Sequence, residues 1–145
     1  RVTAQTIAEA CHAPAFAQPG LLDIDYGEWA GLSPTDVAER DGRLLDMWRT
    51  QPHTVQIPGG ERLDAVRQRA AACMESLAAQ HDGQTIVLVS HLVVCRLLVL
   101  EALGLPTSRF WRIQQETATI NIVVWSDGDY TLATVNDACH LREGK

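Results

Sequence analysis

Residues 85–98 read TIVLVSHLVVCRLL, and the fold turns on how that run divides. Thr85 to Ser90 is apolar without alternation, the pattern of a strand covered on both faces. From about Val93 to Leu103 the apolar residues continue at helical spacing, and Gly104 with Pro106 beyond it supplies the stop. His91 stands at the junction. Position alone leaves it three readings: a packed residue bridging strand and helix, a metal ligand, or a group that acts on a substrate.

Upstream, Pro58-Gly59-Gly60 leads into the clearest helix, roughly Glu61 to His81, where Leu63, Val66, Ala70, Cys73 and Leu77 form one apolar stripe. Asp82-Gly83 ends it. Ser33-Pro34-Thr35-Asp36 combines a cap, a proline at the first helical position and a following acid, so a short helix begins there. Asp41-Gly42 ends that helix, and RLLDMWRT is expected to form another. The chain opens on RVTAQTIAEAC, helical in composition but without a start signal, followed by a loop punctuated by Pro14, Pro19, Gly20, Gly27 and Gly31. Near the other end, Ala118, Ile120, Ile122 and Val124 alternate, Asp127-Gly128 is a turn, and YTLATV returns as the second arm of a hairpin. Helices, a buried strand and a hairpin together predict a three-layer α/β domain with a mixed sheet.

At 145 residues, the chain has the length of one domain. A hydrophobic share of 46 % and a charged share of 21 % are ordinary for a globular protein. The net charge of −6 excludes non-specific nucleic-acid binding, which needs a basic face. It leaves room for a small anionic substrate met by a few local cations. No apolar run approaches the roughly 20 residues of a membrane span, and no signal-peptide pattern is present. Cys11, Cys73, Cys95 and Cys139 are scattered without a CxxC pair, the pattern of reduced thiols in a cytoplasmic protein.

Ligands of open α/β sheets bind beyond the carboxyl ends of the strands. His91 lies there, and the helical amides from about Leu92 to Cys95 would favour an anion at the same spot. Metal binding is weakly supported, because His91 with Cys95 and the adjacent Cys139-His140 are not accompanied by a second pair at zinc spacing. Ser90 lacks the flanking glycines of a nucleophile elbow, and no cysteine has an arginine six residues on. A second anchor is LLDIDYGEWAGLS, residues 21–33, in which Asp23, Asp25 and Glu28 lie beside Tyr26 and Trp29. Acids among aromatics suit a general acid, since apolar neighbours raise a carboxyl pKa. The same loop reads equally as a solvated acidic stretch whose aromatics pin it to the core.

Four segments in order resemble the histidine phosphatase superfamily, the phosphoglycerate-mutase-like proteins. LLDIDYGEWAGLS is similar to the family loop with an acid four residues before a glycine. IPGGE with Arg69 resembles the entry to its long helix, IVLVSHLVVCRLL the strand bearing its second catalytic histidine, and VNDACHL a frequent ending. The resemblance implies a three-layer sandwich around a mostly parallel central sheet with one antiparallel edge strand. It also implies hydrolysis of a small phosphomonoester through a phosphohistidine, releasing inorganic phosphate without metal or cofactor. Carried over by position, His91 is the second histidine and Asp23 the proton donor. Arg1 and Leu92 fall at the phosphate pocket, Arg1 with a register shift of one residue.

The departures from the family pattern are specific. No Arg-His-Gly motif occurs in the chain, so the nucleophilic histidine and its strand are expected upstream of Arg1, and these 145 residues alone are expected to be inactive. Asp23 stands where glutamate is usual, one methylene shorter, and Leu92 replaces a glycine. Phosphoglycerate mutase is disfavoured by the short stretch between the Asp23 loop and PGGE. A non-catalytic relative that binds phosphorylated ligands, and a scaffold with a structural His91, are the remaining alternatives.

Overall fold

The structure, a computed structural model, describes residues 2–141. Its elements are α1 (Val2–Ala10), α2 (Pro34–Thr50), α3 (Leu63–Gln80), α4 (Leu92–Ala102), β1 (Ile120–Ser126) and β2 (Asp129–Asp137). Short 3-10 turns at Pro19–Leu21, Gly27–Trp29, Pro52–Thr54, Thr107–Arg112 and Cys139–Leu141 join them.

Each helix starts and stops for a local reason. The Ser33 side chain accepts the Asp36 N–H while the Asp36 carboxylate accepts the Ser33 N–H, a reciprocal cap with Pro34 at the first helical position. The two short helices expected on either side of Asp41-Gly42 are both present within α2 and meet at a kink. Asp41 leaves helical geometry (φ −134°, ψ 40°), and its carboxylate accepts the Trp29 indole N–H at 2.9 Å. α4 ends where Gly104 takes φ 61°, as the Gly-x-Pro signal indicated.

α3 turns Leu63, Val66, Ala70 and Met74 into the core and packs against α4, which is apolar almost all round. Phe110, Ile57, Leu97 and Leu100 are fully enclosed in the core. Each such side chain contributes on the order of 2 kcal/mol through burial.

One expectation needs correction. Residues 85–90 form no strand, and none pairs with them among the described residues. Ile86 is exposed and Val87 is 62 % exposed, so this segment is not buried on both faces. A strand is defined by its partners, and an apolar run cannot show which segment will pair with it. The hairpin forms as expected, with Asp127 and Gly128 both at positive φ (53° and 84°) as its tight turn requires. Ile120, Ile122 and Val124 face solvent, while Val123, Trp125, Tyr130 and Leu132 are half-buried. Alternation identifies two faces but does not say which one meets the core. Among the described residues this hairpin is the only sheet.

Gly27 is a point of closest approach. It has φ 48°, and a Cβ there would lie 2.3 Å from both the Pro58 carbonyl oxygen and the Gly60 nitrogen. Gly27→Ala is expected to cost more than about 3 kcal/mol, combining left-handed strain with a backbone clash. Gly31→Ala, at φ 77° with open space around it, should cost only about 1 kcal/mol. Chemical denaturation of the two variants measures the difference, and equal losses would contradict the interlocked loops.

Candidate active site

The loop that carries Asp23 is held at both ends by apolar anchors. Leu21, Ile24 and Trp29 point into the core, which leaves Asp23 facing outward. Its Oδ1 accepts the Ile24 N–H at 2.9 Å. Its Oδ2 faces His91 Nδ1 at 3.5 Å, an ion-pair distance rather than a tight hydrogen bond. The Ser90 hydroxyl, one residue before the histidine, donates to the Leu21 carbonyl at 2.7 Å. That bond ties the His91 segment directly to the Asp23 loop.

Arg69 on α3 supports the loop from behind. Its guanidinium donates to Glu61 Oε1 and Oε2 (both 2.9 Å) and to the carbonyls of Gly20 (2.9 Å), Leu22 (2.8 Å) and Asp23 (2.8 Å). All its N–H groups are thereby used. Glu61 adds two more links, since its Oε2 accepts the Asp25 N–H at 2.9 Å and its own N–H donates to the Asp25 carbonyl at 2.8 Å. These hydrogen bonds, those from Arg69 foremost, hold the Glu61 carboxyl below the usual carboxylate range.

The other acids of the loop are occupied elsewhere. Asp25 Oδ1 accepts the Gly27 N–H at 2.8 Å, and Glu28 pairs with Arg40. Of the three, Asp23 is the one set against His91.

His91 caps α4 without a side-chain hydrogen bond to its amides, so its ring does not satisfy the N–H groups that face the space in front of the first helical turn. An anion there would meet those amides and the positive end of the helix. Leu92 opens the helix and is 39 % exposed. Arg1 lies outside the described residues. The His91 and Asp23 side chains are 61 % and 37 % exposed, so the pair sits on an open surface. Among the described residues no three His, Cys, Asp or Glu side chains gather as a metal site.

One part of this arrangement had no assigned role in the sequence reading. Arg69 and Glu61 belonged to a recognised segment, but their bonds run across 46–49 and 36 residues of chain to the loop.

The backbone closely follows a solved structure, Bacillus stearothermophilus YhfR, with a TM-score of 0.92 at 25 % identity over 97 % of this chain and 70 % of that one. A sequence model of the histidine phosphatase superfamily (branch 1) matches residues 1–138. The chain belongs to the histidine phosphatase superfamily. Within the superfamily, it is 31 % identical over 142 residues to phosphoserine phosphatase 1 of Hydrogenobacter thermophilus, covering 98 % of this chain and 67 % of that enzyme. It is 29 % identical over 140 residues to a bifunctional protein of Mycobacterium tuberculosis, covering 96 % of this chain and 38 % of that protein. The chain thus spans about two thirds of the first relative and well under half of the second.

The depressed Glu61 carboxyl sets a pH dependence. A folded-state pKa below the unfolded one contributes stability that is complete above the unfolded carboxylate range and is lost as pH falls through the folded value. Denaturation midpoints should therefore fall on acidification, and Glu61→Gln should flatten that slope. An unchanged slope in the variant would show that the Arg69–Glu61 pair does not carry it.

Proposed function

We propose that this chain is the larger part of a phosphatase that hydrolyses a small phosphomonoester through a phosphohistidine intermediate. The nucleophilic histidine would come from sequence upstream of Arg1. The observation that carries the reading is the placement of Asp23 Oδ2 3.5 Å from His91 Nδ1, at the start of a helix whose first amides face the same space.

In this scheme the nucleophile's ring nitrogen attacks phosphorus, and the bond from phosphorus to the alcohol oxygen breaks. Asp23 in its acid form gives its proton to that oxygen. His91 and the α4 amides hold the equatorial oxygens, where charge accumulates in the transition state. Water then attacks the phosphohistidine, Asp23 as carboxylate takes the water's proton, and inorganic phosphate leaves. The steps need neither metal nor cofactor.

The same reading makes residues 85–90 an interior strand of a mostly parallel sheet in a three-layer sandwich, flanked by a first strand outside this chain. The exposed Ile86 and Val87 and the outward Ile120, Ile122 and Val124 are the apolar surfaces such a sheet would use. A reducing, cytoplasmic setting accords with cysteines that form no disulfide. No helix among the described residues is long and apolar enough to cross a membrane.

His91→Ala and Asp23→Asn in the full-length protein test the roles separately. Each should lower kcat on p-nitrophenyl phosphate by about 10²–10⁴-fold. Asp23→Asn should lose less on this good leaving group than on an alkyl phosphate, which depends more on protonation. Near-normal rates in both variants would refute the roles. Phosphate binding without turnover in the wild-type protein would instead point to a non-catalytic phospholigand binder.

A further inference from the structure

Four consecutive carbonyls leading into the acid loop, Gly20 to Asp23, each accept a side-chain hydrogen bond. Arg69 donates to those of Gly20, Leu22 and Asp23, and the Ser90 hydroxyl donates to that of Leu21 at 2.7 Å. The two donors answer to different parts of the fold. Arg69 fixes the loop relative to α3, whereas Ser90 is joined covalently to His91. Among the described residues, the Ser90 hydroxyl makes the only hydrogen bond between residues 85–91 and the acid loop.

That bond sits where the geometry of the pair is decided. With the 3.5 Å approach of Asp23 Oδ2 to His91 Nδ1, it closes a small ring through Leu21, Leu22, Asp23, His91 and Ser90. The ion-pair side of the ring is weak, because both side chains are open to water and the distance is long. The hydroxyl side is short, and it lies against the buried Leu21, where water competes little. Its proton is committed to that carbonyl, so the hydroxyl is a tie between segments rather than a nucleophile. Without it, the Leu21 carbonyl would turn toward water to regain a donor, and Asp23, two residues on, would turn with it.

We infer that Ser90 is a positioning residue for the proton-transfer step, holding the Asp23 carboxyl in reach of the leaving oxygen while His91 binds the phosphoryl group. Ser90 itself forms and breaks no covalent bond. This rests on the phosphatase reading and deepens it, because a loosened acid matters most where the leaving alkoxide cannot depart unprotonated. Hydrolysis of alkyl phosphates therefore depends on Ser90, and hydrolysis of aryl phosphates with acidic phenols does not. A misplacement of about 1 Å is enough to change a rate by about 10²-fold.

The test compares kcat for n-butyl phosphate and p-nitrophenyl phosphate in the full-length protein and its Ser90 variants. Ser90→Ala should lower kcat for butyl phosphate by about ten-fold or more, and that for p-nitrophenyl phosphate by less than about three-fold. Ser90→Thr, which keeps the hydroxyl, should stay near the wild-type ratio. Ser90→Cys, close in size but a poor donor, should follow Ser90→Ala and serves if that variant does not fold. Equal losses on the two substrates, or no loss on butyl phosphate, overturn the inference and leave the phosphatase reading standing. So does a wild type that hydrolyses only p-nitrophenyl phosphate. Loss of folding in both Ser90→Ala and Ser90→Cys, seen by circular dichroism, assigns the bond to stability and also overturns it. No turnover of either substrate by the wild type overturns both readings.

Discussion

The bond network around Arg69 is the constraint on which the site depends. One guanidinium reaches two oxygens of Glu61 and three carbonyls of the loop, at Gly20, Leu22 and Asp23. Three carbonyls converging on one point is an arrangement a free loop would not hold, because aligned dipoles repel and the chain loses conformational entropy. A cation with planar, forked donors is what makes it stable. Since the Asp23 carbonyl is one of the three, the acid's position follows from α3, a rigid element whose own place is set by core packing.

Three further contacts narrow the geometry. Gly27 and Gly60 bring the acid loop and the PGGE turn into backbone contact that admits no side chain. Ser90 joins the Leu21 carbonyl, which fixes the distance between the two segments that present Asp23 and His91. α4 then starts directly after His91, so the histidine, the helix amides and the acid share one region of surface. Positioning of this kind, in advance of substrate, is where much of the effect of an active site on phosphoryl transfer lies.

The helices were legible because their signals are local: the Ser33/Asp36 cap, the stripe from Leu63, and the Gly104 stop all act within a few residues of themselves. His91 and Asp23 were legible as a pair only through the ordered resemblance of four segments, since nothing in either stretch refers to the other. The long-range contacts were not. Arg69 was visible as part of a familiar segment, but its reach to Gly20 and Leu22 depends on tertiary packing. The hairpin shows the same limit, for the alternation of Ile120, Ile122 and Val124 was plain while the identity of the inner face was not. Residues 85–90 carried the composition of a buried strand, and in the described structure no strand pairs with them.

The central claim is that Asp23 and His91 act on the same phosphoryl group. A crystal structure of the full-length protein with vanadate bound tests it most directly. The account expects one vanadate oxygen within hydrogen-bond reach of His91, and the Asp23 carboxylate facing the apical oxygen that stands for the leaving alcohol. Vanadate bound away from α4, or Asp23 turned from it toward solvent, would contradict the account.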